Sequence, residues 1–339
     1  MIAPPFGRDH EVFVTAEIGN NHEGDLETAK ELVTRAAETG VNAVKFQTFI
    51  PEHYVSNADP ARLKRLKEFQ LGYDEFESLA NLSEGLGLVF FSTPFDIASA
   101  LALNSIQSIF KISSGDNNFF QLIDTVAGFG KPMIISTGLA DSQLLDNVYS
   151  RVLGTWEKQK VATKLALLHC VSSYPVPFDE ANLSAIQVLL AKYPEAVVGY
   201  SDHTIGIEAA VTAVAMGAKI IEKHFTLDKN FSEFRDHQLS ADPKEMSELV
   251  KRIKRTYLLM GNGEIGVQPC ERPMMDLGRR SAAARCTIQA GSTINETDIV
   301  WVRPGTGIPP GKEKEIIGRI AASTLQVGEV ITIDKLATE

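Results

Sequence analysis

The chain has 339 residues, 44% hydrophobic and 22% charged, an ordinary soluble composition at a length that predicts two domains rather than one small core. Its net charge of −10 argues against a broad nucleic-acid surface, while a local basic pocket for a small anion stays open. No apolar run nears the roughly 18 residues that span a membrane, the start "MIAPPFGRDHEVFV" lacks a secretory layout, and Cys170, Cys270 and Cys286 are too scattered for a disulfide framework or a structural zinc site. A reduced, cytoplasmic protein is expected, with no nucleic-acid or membrane partner.

In chain order, eight short apolar, β-rich runs come first: "VFVTAEIG", "AVKFQT", "LVFFSTPF", "IFKISSG", "PMIISTG", "LALLHCV", "VVGYSDH" and "IIEKHF". Their near-continuous apolar character is what parallel strands covered on both faces require. Helical periodicity lies between them. After the first run, Leu26, Ala29, Leu32, Val33 and Ala36 mark one face, Asp25 sits at an N-cap position and Gly40 follows the end. "FFQLIDTVAGFG", "FDEANLSAIQVLLAKYP" and "TIGIEAAVTAVAMG" repeat the pattern, and residues 59–86 are long and charged enough to carry an extra helix. Eight such alternations predict a (β/α)8 TIM barrel over residues 1–262, preferred to an open doubly wound sheet because no Gly-x-Gly-x-x-Gly follows the first strand. A Gly- and Pro-rich linker is predicted at 263–278. Short β-like pieces and turn signals then predict a small, mostly β module over 279–339, expected to dock on a partner surface because of its size.

Nearly every predicted strand ends on polar residues: Glu17, Lys45 with Gln47, Thr93, Lys111, Ser136, His169, Ser201 with His203, and Glu222 with His224. Any one of them fits a satisfied polar group at a strand end. Eight at the C-terminal rim of a barrel, where barrel active sites lie, point to a catalytic basin. Ser201, Asp202 and His203 do not form a hydrolase triad. Alternation puts Ser201 and His203 on one side and Asp202 on the other, and no Gly-x-Ser-x-Gly elbow occurs. His203 and His224, on neighbouring strands, suit a divalent ion such as Mn, Fe, Co or Zn, with two hydrogen-bonded core histidines as the competing reading. Lys45 and Lys111, with Ser136 and Ser201, suit a phosphate or carboxylate. A Schiff-base lysine is the alternative.

"AEIGNNHEGDLETAKELV", "AVKFQT", "FFSTPFD", "FKISSGD", "KPMIISTG", "LLHCVSSYP", "GYSDHTIG" and "EKHFTLD" together resemble the sialic acid (nonulosonate) synthases. The final module, with "VWVRPGTG", resembles the antifreeze-like (SAF) domain of that family. The resemblance implies condensation of phosphoenolpyruvate with an N-acylated aldose to a nine-carbon 2-keto sugar acid and phosphate. It implies phosphoenolpyruvate contacts at Lys45, Gln47, Lys111, Ser114, Ser136 and Ser201, and pocket positions for Thr93 and Phe95. His203 and His224 would hold the metal, Mn or a similar ion, as a Lewis acid. Glu17 and Glu222 would be the active-site carboxylates, with Glu17 handling the proton of the attacking water. Tyr174 and Asp236 would lie near the sugar, and Arg303 would reach the site of a second subunit in a domain-swapped homodimer. Three departures stand out. Ser172 stands where some family members place an asparagine that contacts phosphoenolpyruvate, Ser113 replaces a common glycine, and "NFSEFRDHQLS" carries Phe234 and Arg235 before Asp236. A synthase for a phosphorylated sugar would need further arginines, few of which fall at the predicted rim. A non-catalytic scaffold is opposed by the retained Glu17, lysines and histidines.

Overall fold

The computed structural model describes Phe6 and residues 12–338. It divides into two compact units, residues 1–261 and 262–339. In the first, eight parallel strands alternate with helices: β1 (Phe13–Gly19), α1 (Leu26–Glu38), β2 (Ala43–Thr48), α2 (Pro51–Tyr54), α3 (Pro60–Phe69), α4 (Tyr73–Gly85), β3 (Val89–Pro94), α5 (Ile97–Leu103), β4 (Phe110–Ile112), α6 (Phe120–Gly128), β5 (Met133–Ser136), α7 (Ser142–Gln159), β6 (Leu165–Cys170), α8 (Ala185–Lys192), β7 (Val197–Asp202), α9 (Glu208–Ala215), β8 (Ile220–His224), α10 (Asp236–Leu239) and α11 (Pro243–Met260). Aspartates start many of the helices. The side chains of Asp25, Asp59, Asp96, Asp141 and Asp242 accept bonds from backbone N–H groups three residues on, satisfying donors that an α-helix leaves free at its start.

The ladder runs β3-β2-β1-β8-β7-β6-β5-β4, a nearly closed TIM-type barrel. At the seam between β3 and β4 a side chain replaces the missing ladder. Buried Gln107, just before β4, accepts from Ser92 N (2.7 Å) and donates to Ser92 O (3.1 Å). The outer strand faces, such as Val14, Ala16, Val44, Phe46, Ile135 and Ile221, bury against the helices in one continuous core. The inner faces build a second, separate core. Phe13, Ala43, Phe91, Ile109, Ile134, Ala166, Leu168 and Ile220 fill the barrel, together with Phe6. Space there is tight: a Cβ on Gly199 of β7 would come within 2.5 Å of Ile220 O and of Leu168 Cδ2.

In the second unit, α12 (Met275–Gly278) precedes an antiparallel pair, β9 (Ser281–Ala284) and β10 (Ile299–Val302). Isolated bridges such as Ile288 to Leu325 complete it. Its own core includes Ala282, Ile294, Ile299, Ile316, Leu325 and Ile331. The predicted linker carries helical turns, a 3-10 segment at Pro269–Met274 and then α12.

Candidate active site

The site grows out of the inner core by strand alternation. Two residues beyond an apolar inward residue, the chain again points inward. Lys45 follows Ala43, Thr93 follows Phe91, Lys111 follows Ile109, Ser136 follows Ile134, Cys170 follows Leu168 and Glu222 follows Ile220, each two positions further along. The apolar plug is thus roofed by a polar layer that floors a cavity of about 920 Å3 at the C-terminal ends of the strands.

That floor is densely charged. Lys45 Nζ lies 2.7 Å from Glu17 Oε2 and 3.7 Å from Glu222 Oε2, and Lys111 Nζ lies 3.5 Å from Glu222 Oε1. Ser201 Oγ donates to Glu222 Oε1 (2.9 Å), Lys45 Nζ to Thr93 Oγ1 (3.2 Å) and Gln47 Nε2 to Glu17 Oε1 (3.3 Å). Asn20 fixes the amide of Gln47 by donating to its Oε1 (2.8 Å). The two carboxylates titrate apart. Burial, opposed by Lys45 and helped by the charge of Glu222, pushes Glu17 up to about 7. Burial also opposes the charge of Glu222, yet Lys111, Lys45 and the Ser201 hydroxyl outweigh it and hold that carboxyl below its ordinary range. Burial pulls Lys111 below the usual lysine range, whereas for Lys45 the two carboxylates overcome burial and raise it. Paired carboxyl groups set apart in this way divide the roles of proton acceptor and fixed anion.

Beside the lysines is a hollow lined by hydroxyls. The Ser136 and Ser172 hydroxyls are buried without a partner. A Cβ on Gly138 would come within 2.5 Å of Ser172 Oγ and 2.7 Å of Ser114 Oγ, so glycine there keeps the hollow open. Unpaired donors next to two lysines form a cradle for an oxyanion.

The two histidines line the same cavity, ring centroids 5.3 Å apart, with the Tyr174 ring 4.2 Å from that of His203. His203 Nδ1 bonds Val171 O at 2.9 Å and lies 3.8 Å from Cys170 Sγ. Burial works against charge on His203, but Cys170 outweighs it and raises the imidazole. Burial and the neighbouring cations His203 and Lys45 hold His224 well below its ordinary value, hence neutral, and its Nδ1 is buried without a partner. A neutral buried imidazole with an orphaned nitrogen fits a metal ligand. Among the described residues no group of three His, Cys, Asp or Glu is set to hold an ion. A divalent ion held by this pair would need its remaining ligands from water or substrate.

Towards the mouth the lining changes. Tyr54, Leu66, Phe69, Phe95, Phe119 and Phe234 present apolar surface, with Asp116 and Asp236 among them. Leu139, largely exposed, sits there at φ 63, a backbone region that leucine rarely adopts. Burial raises Asp236 and Tyr174 above their ordinary ranges.

Nearly all the sequence-predicted residues meet in this one cavity: Glu17, Lys45, Gln47, Thr93, Phe95, Lys111, Ser114, Ser136, Ser172, Tyr174, Ser201, His203, Glu222, His224 and Asp236. Arg303 belongs to the second unit, after β10, where its Nε donates to Gly278 O (2.9 Å). Two expectations need correction. His169 points outward, its Nε2 on Ala181 O at 2.9 Å and its ring stacked on Tyr200; the inward residue there is Cys170. The parity of Cys170, Ser172 and Tyr174 in "HCVSSY" is the signal that identifies it. Arginines are also not scarce at the rim, because the insertion after β2 and the loop after β8 bring Arg62, Arg65 and Arg235 to the cavity edge. Asp202, placed by alternation on the other side from Ser201, faces outward and is fully buried, 2.9 Å from Lys223 Nζ, and accepts from Tyr200 OH and Thr204.

Residues 32–265 match the NeuB family and residues 279–337 the SAF domain. The chain is 37% identical over 341 residues to an N,N'-diacetyllegionaminic acid synthase of Legionella pneumophila, covering 96% of this chain and 95% of the relative. It is 30% identical over 340 residues to the human N-acetylneuraminate-9-phosphate synthase, covering 96% of this chain and 92% of the relative. Among solved structures, an N-acetylneuraminic acid (sialic acid) synthetase of Leptospira borgpetersenii in complex with citrate matches with a TM-score of 0.74 and 38% identity, over 79% of this chain and 91% of that one.

Proposed function

This chain belongs to the NeuB family and is a synthase of the sialic acid type with a C-terminal SAF domain, and we propose that it joins phosphoenolpyruvate to an N-acylated aldose, releasing phosphate and a nine-carbon 2-keto sugar acid. The observation that carries this reading is the meeting, in one cavity, of two lysines, two carboxyls of opposite titration, unpartnered hydroxyls and two imidazoles.

Lys45 and Lys111 hold the phosphate and carboxylate of phosphoenolpyruvate, with Ser114, Ser136 and Ser172 giving hydrogen bonds that neither lysine can direct. Held there, the enol carbon of phosphoenolpyruvate faces the sugar aldehyde, and the new carbon–carbon bond leaves positive character at its C2. A water adds to C2, and loss of phosphate from the tetrahedral carbon leaves the keto group. Glu17, ionising near neutral pH, takes the proton of that water, which a carboxyl with an ordinary value would do with less driving force. Glu222 stays ionised between the two lysines and fixes their positions. A divalent ion held by His203 and His224 would supply Lewis acidity toward the aldehyde oxygen. Tyr174 and Asp236 bound the sugar on the side of the β8 loop.

The resemblance of the last domain supports a further assignment, that Arg303 completes the site of a second chain in a domain-swapped homodimer. Phosphate release from phosphoenolpyruvate, measured against a panel of N-acylated hexoses, tests the reaction. Release is expected only with an acceptor present, to stop with chelator, to return with Mn2+, and to vanish in His203→Ala and His224→Ala. Release that ignores chelator would remove the metal from the reading; no release with any acceptor would remove the reaction.

A further inference from the structure

The β8 loop, residues 228–236, is pinned rather than loose. His237, fully buried, bonds Glu23 Oε1 through Nε2 (3.0 Å) and Thr226 Oγ1 through Nδ1 (2.6 Å). Ser232 donates to the same Glu23 oxygen, and the Phe231 ring packs on His237 at 5.1 Å. This ties the loop to the turn after β1. The chief consequence is the placement of Phe234, whose ring meets that of Phe69 edge-on at 5.1 Å. It joins a cluster of Phe49, Leu66, Phe69 and Phe95 with Tyr54, the last two 4.4 Å apart. One wall of the cavity mouth is therefore aromatic, and its innermost rings are already ordered.

Two of the three arginines beside this wall lie over aromatic rings. Arg62 lies over the Tyr54 ring at 5.4 Å and Arg235 over the Tyr174 ring at 5.2 Å. Arg235 Nε also lies 3.6 Å from Asp236 Oδ1, and Asp59 and Asp116 line the same rim. Cations and carboxylates are close to balanced there.

Burial falls from floor to mouth: Glu17, Lys45 and Glu222 are fully enclosed, Phe234 and Tyr54 half-buried, and Arg62, Arg65 and Arg235 exposed. An aldose whose aldehyde carbon reacts at the floor must direct its far carbons to the mouth. We propose that Phe234, with Phe69, Tyr54 and Phe95, forms an acceptor subsite for the methyl end of a 6-deoxy sugar, and that this wall discriminates against a 6-hydroxyl or 6-phosphate. The assignment rests on the synthase reading above. A methyl group loses water-exposed surface against the rings, whereas a hydroxyl or phosphate loses water against ring faces that offer no replacement hydrogen bond, the Tyr54 hydroxyl being the one polar atom that these four side chains carry.

The test compares kcat/KM, by phosphate release, for N-acetylmannosamine, its 6-phosphate, 6-deoxy-N-acetylmannosamine and 2,4-diacetamido-2,4,6-trideoxymannose. The 6-deoxy sugar is expected to exceed N-acetylmannosamine by about 10- to 100-fold, the range one methyl or hydroxyl commands in an apolar pocket, with the 6-phosphate slowest. In Phe234→Ser that ratio should fall to within about threefold, and in Phe234→Leu most of it should survive. A ratio of two acceptors on one preparation does not depend on the fraction folded, so misfolding cannot imitate the result. Equal use of 6-deoxy and 6-hydroxy sugars by the unmodified protein, or a ratio unchanged in Phe234→Ser, overturns the subsite. So does a preference seen only with the diacetamido sugar, which would assign the wall to the second N-acyl methyl. No release with any of the four overturns the synthase reading itself, a failure distinguishable from loss of selectivity.

Discussion

Glu17→Gln separates the two consequences of burying a carboxyl beside two lysines. The side chain is fully enclosed, and its value of about 7 stands against an ordinary 4.5. In the folded chain the proton is therefore held at pH values where the unfolded chain has lost it. The stabilisation from that proton is complete below pH 4.5 and is lost as pH rises through 7. At 1.36 kcal/mol per unit the loss comes to about 3 kcal/mol. Glutamine keeps the shape and does not titrate, so the variant should gain on the natural protein by that amount between pH 5 and pH 9. For a domain of this size that is roughly 5–10 °C of melting temperature. Catalysis should move the other way. Loss of the proton acceptor should cost roughly 10²- to 10⁴-fold in kcat, and kcat/KM of the natural protein should fall about tenfold per unit as pH drops below 7. Melting curves and phosphate-release rates over pH 5–9 check both. Parallel melting profiles, or a variant rate within about threefold of the natural one, would refute the reasoning that burial tunes Glu17 as the base.

Gly138→Ala places a methyl into the hydroxyl hollow beside Ser114 and Ser172; the KM for phosphoenolpyruvate should rise by about tenfold or more while kcat changes less, read from initial rates. Lys223→Met leaves the enclosed Asp202 carboxylate without its cation, and denaturant unfolding should show a loss of roughly 3–5 kcal/mol, with the added Asp202→Asn change recovering part of it. Arg303→Ala chains mixed with Glu17→Gln chains should regain part of the activity that each lacks alone; inactive mixtures after demonstrated subunit exchange would count against a shared site.

Much of the site was legible because strand alternation is a local rule. Once Ala43 and Ile109 are read as inward, Lys45 and Lys111 follow two residues later, and Ser201 is separated from Asp202 by the same logic. That rule fails only where its phase is misread, as at His169, whose polarity drew attention one residue away from the inward Cys170. The eight-fold rhythm likewise predicted the barrel, since near-continuously apolar strands followed by amphipathic helices have few other ways to bury both faces.

Beyond that reach lie features made by elements that meet only in the folded chain. The seam closed by Gln107, the rise of Glu17 and fall of Glu222, and the neutral His224 depend on distances between strands that sequence spacing does not encode. Arg62 and Phe69 fall in the charged stretch 59–86, which predicts an extra helix, and Tyr54 lies just before it. Only packing of α2 and α3 over the barrel mouth, against a loop that His237 and Glu23 pin from the opposite side of β1, brings them to Phe234. The sequence by itself determined which face each strand residue occupies, because that depends on two neighbouring peptide units. The tertiary structure decided which charges and rings share a cavity, because burial and Coulomb interaction depend on separation in space.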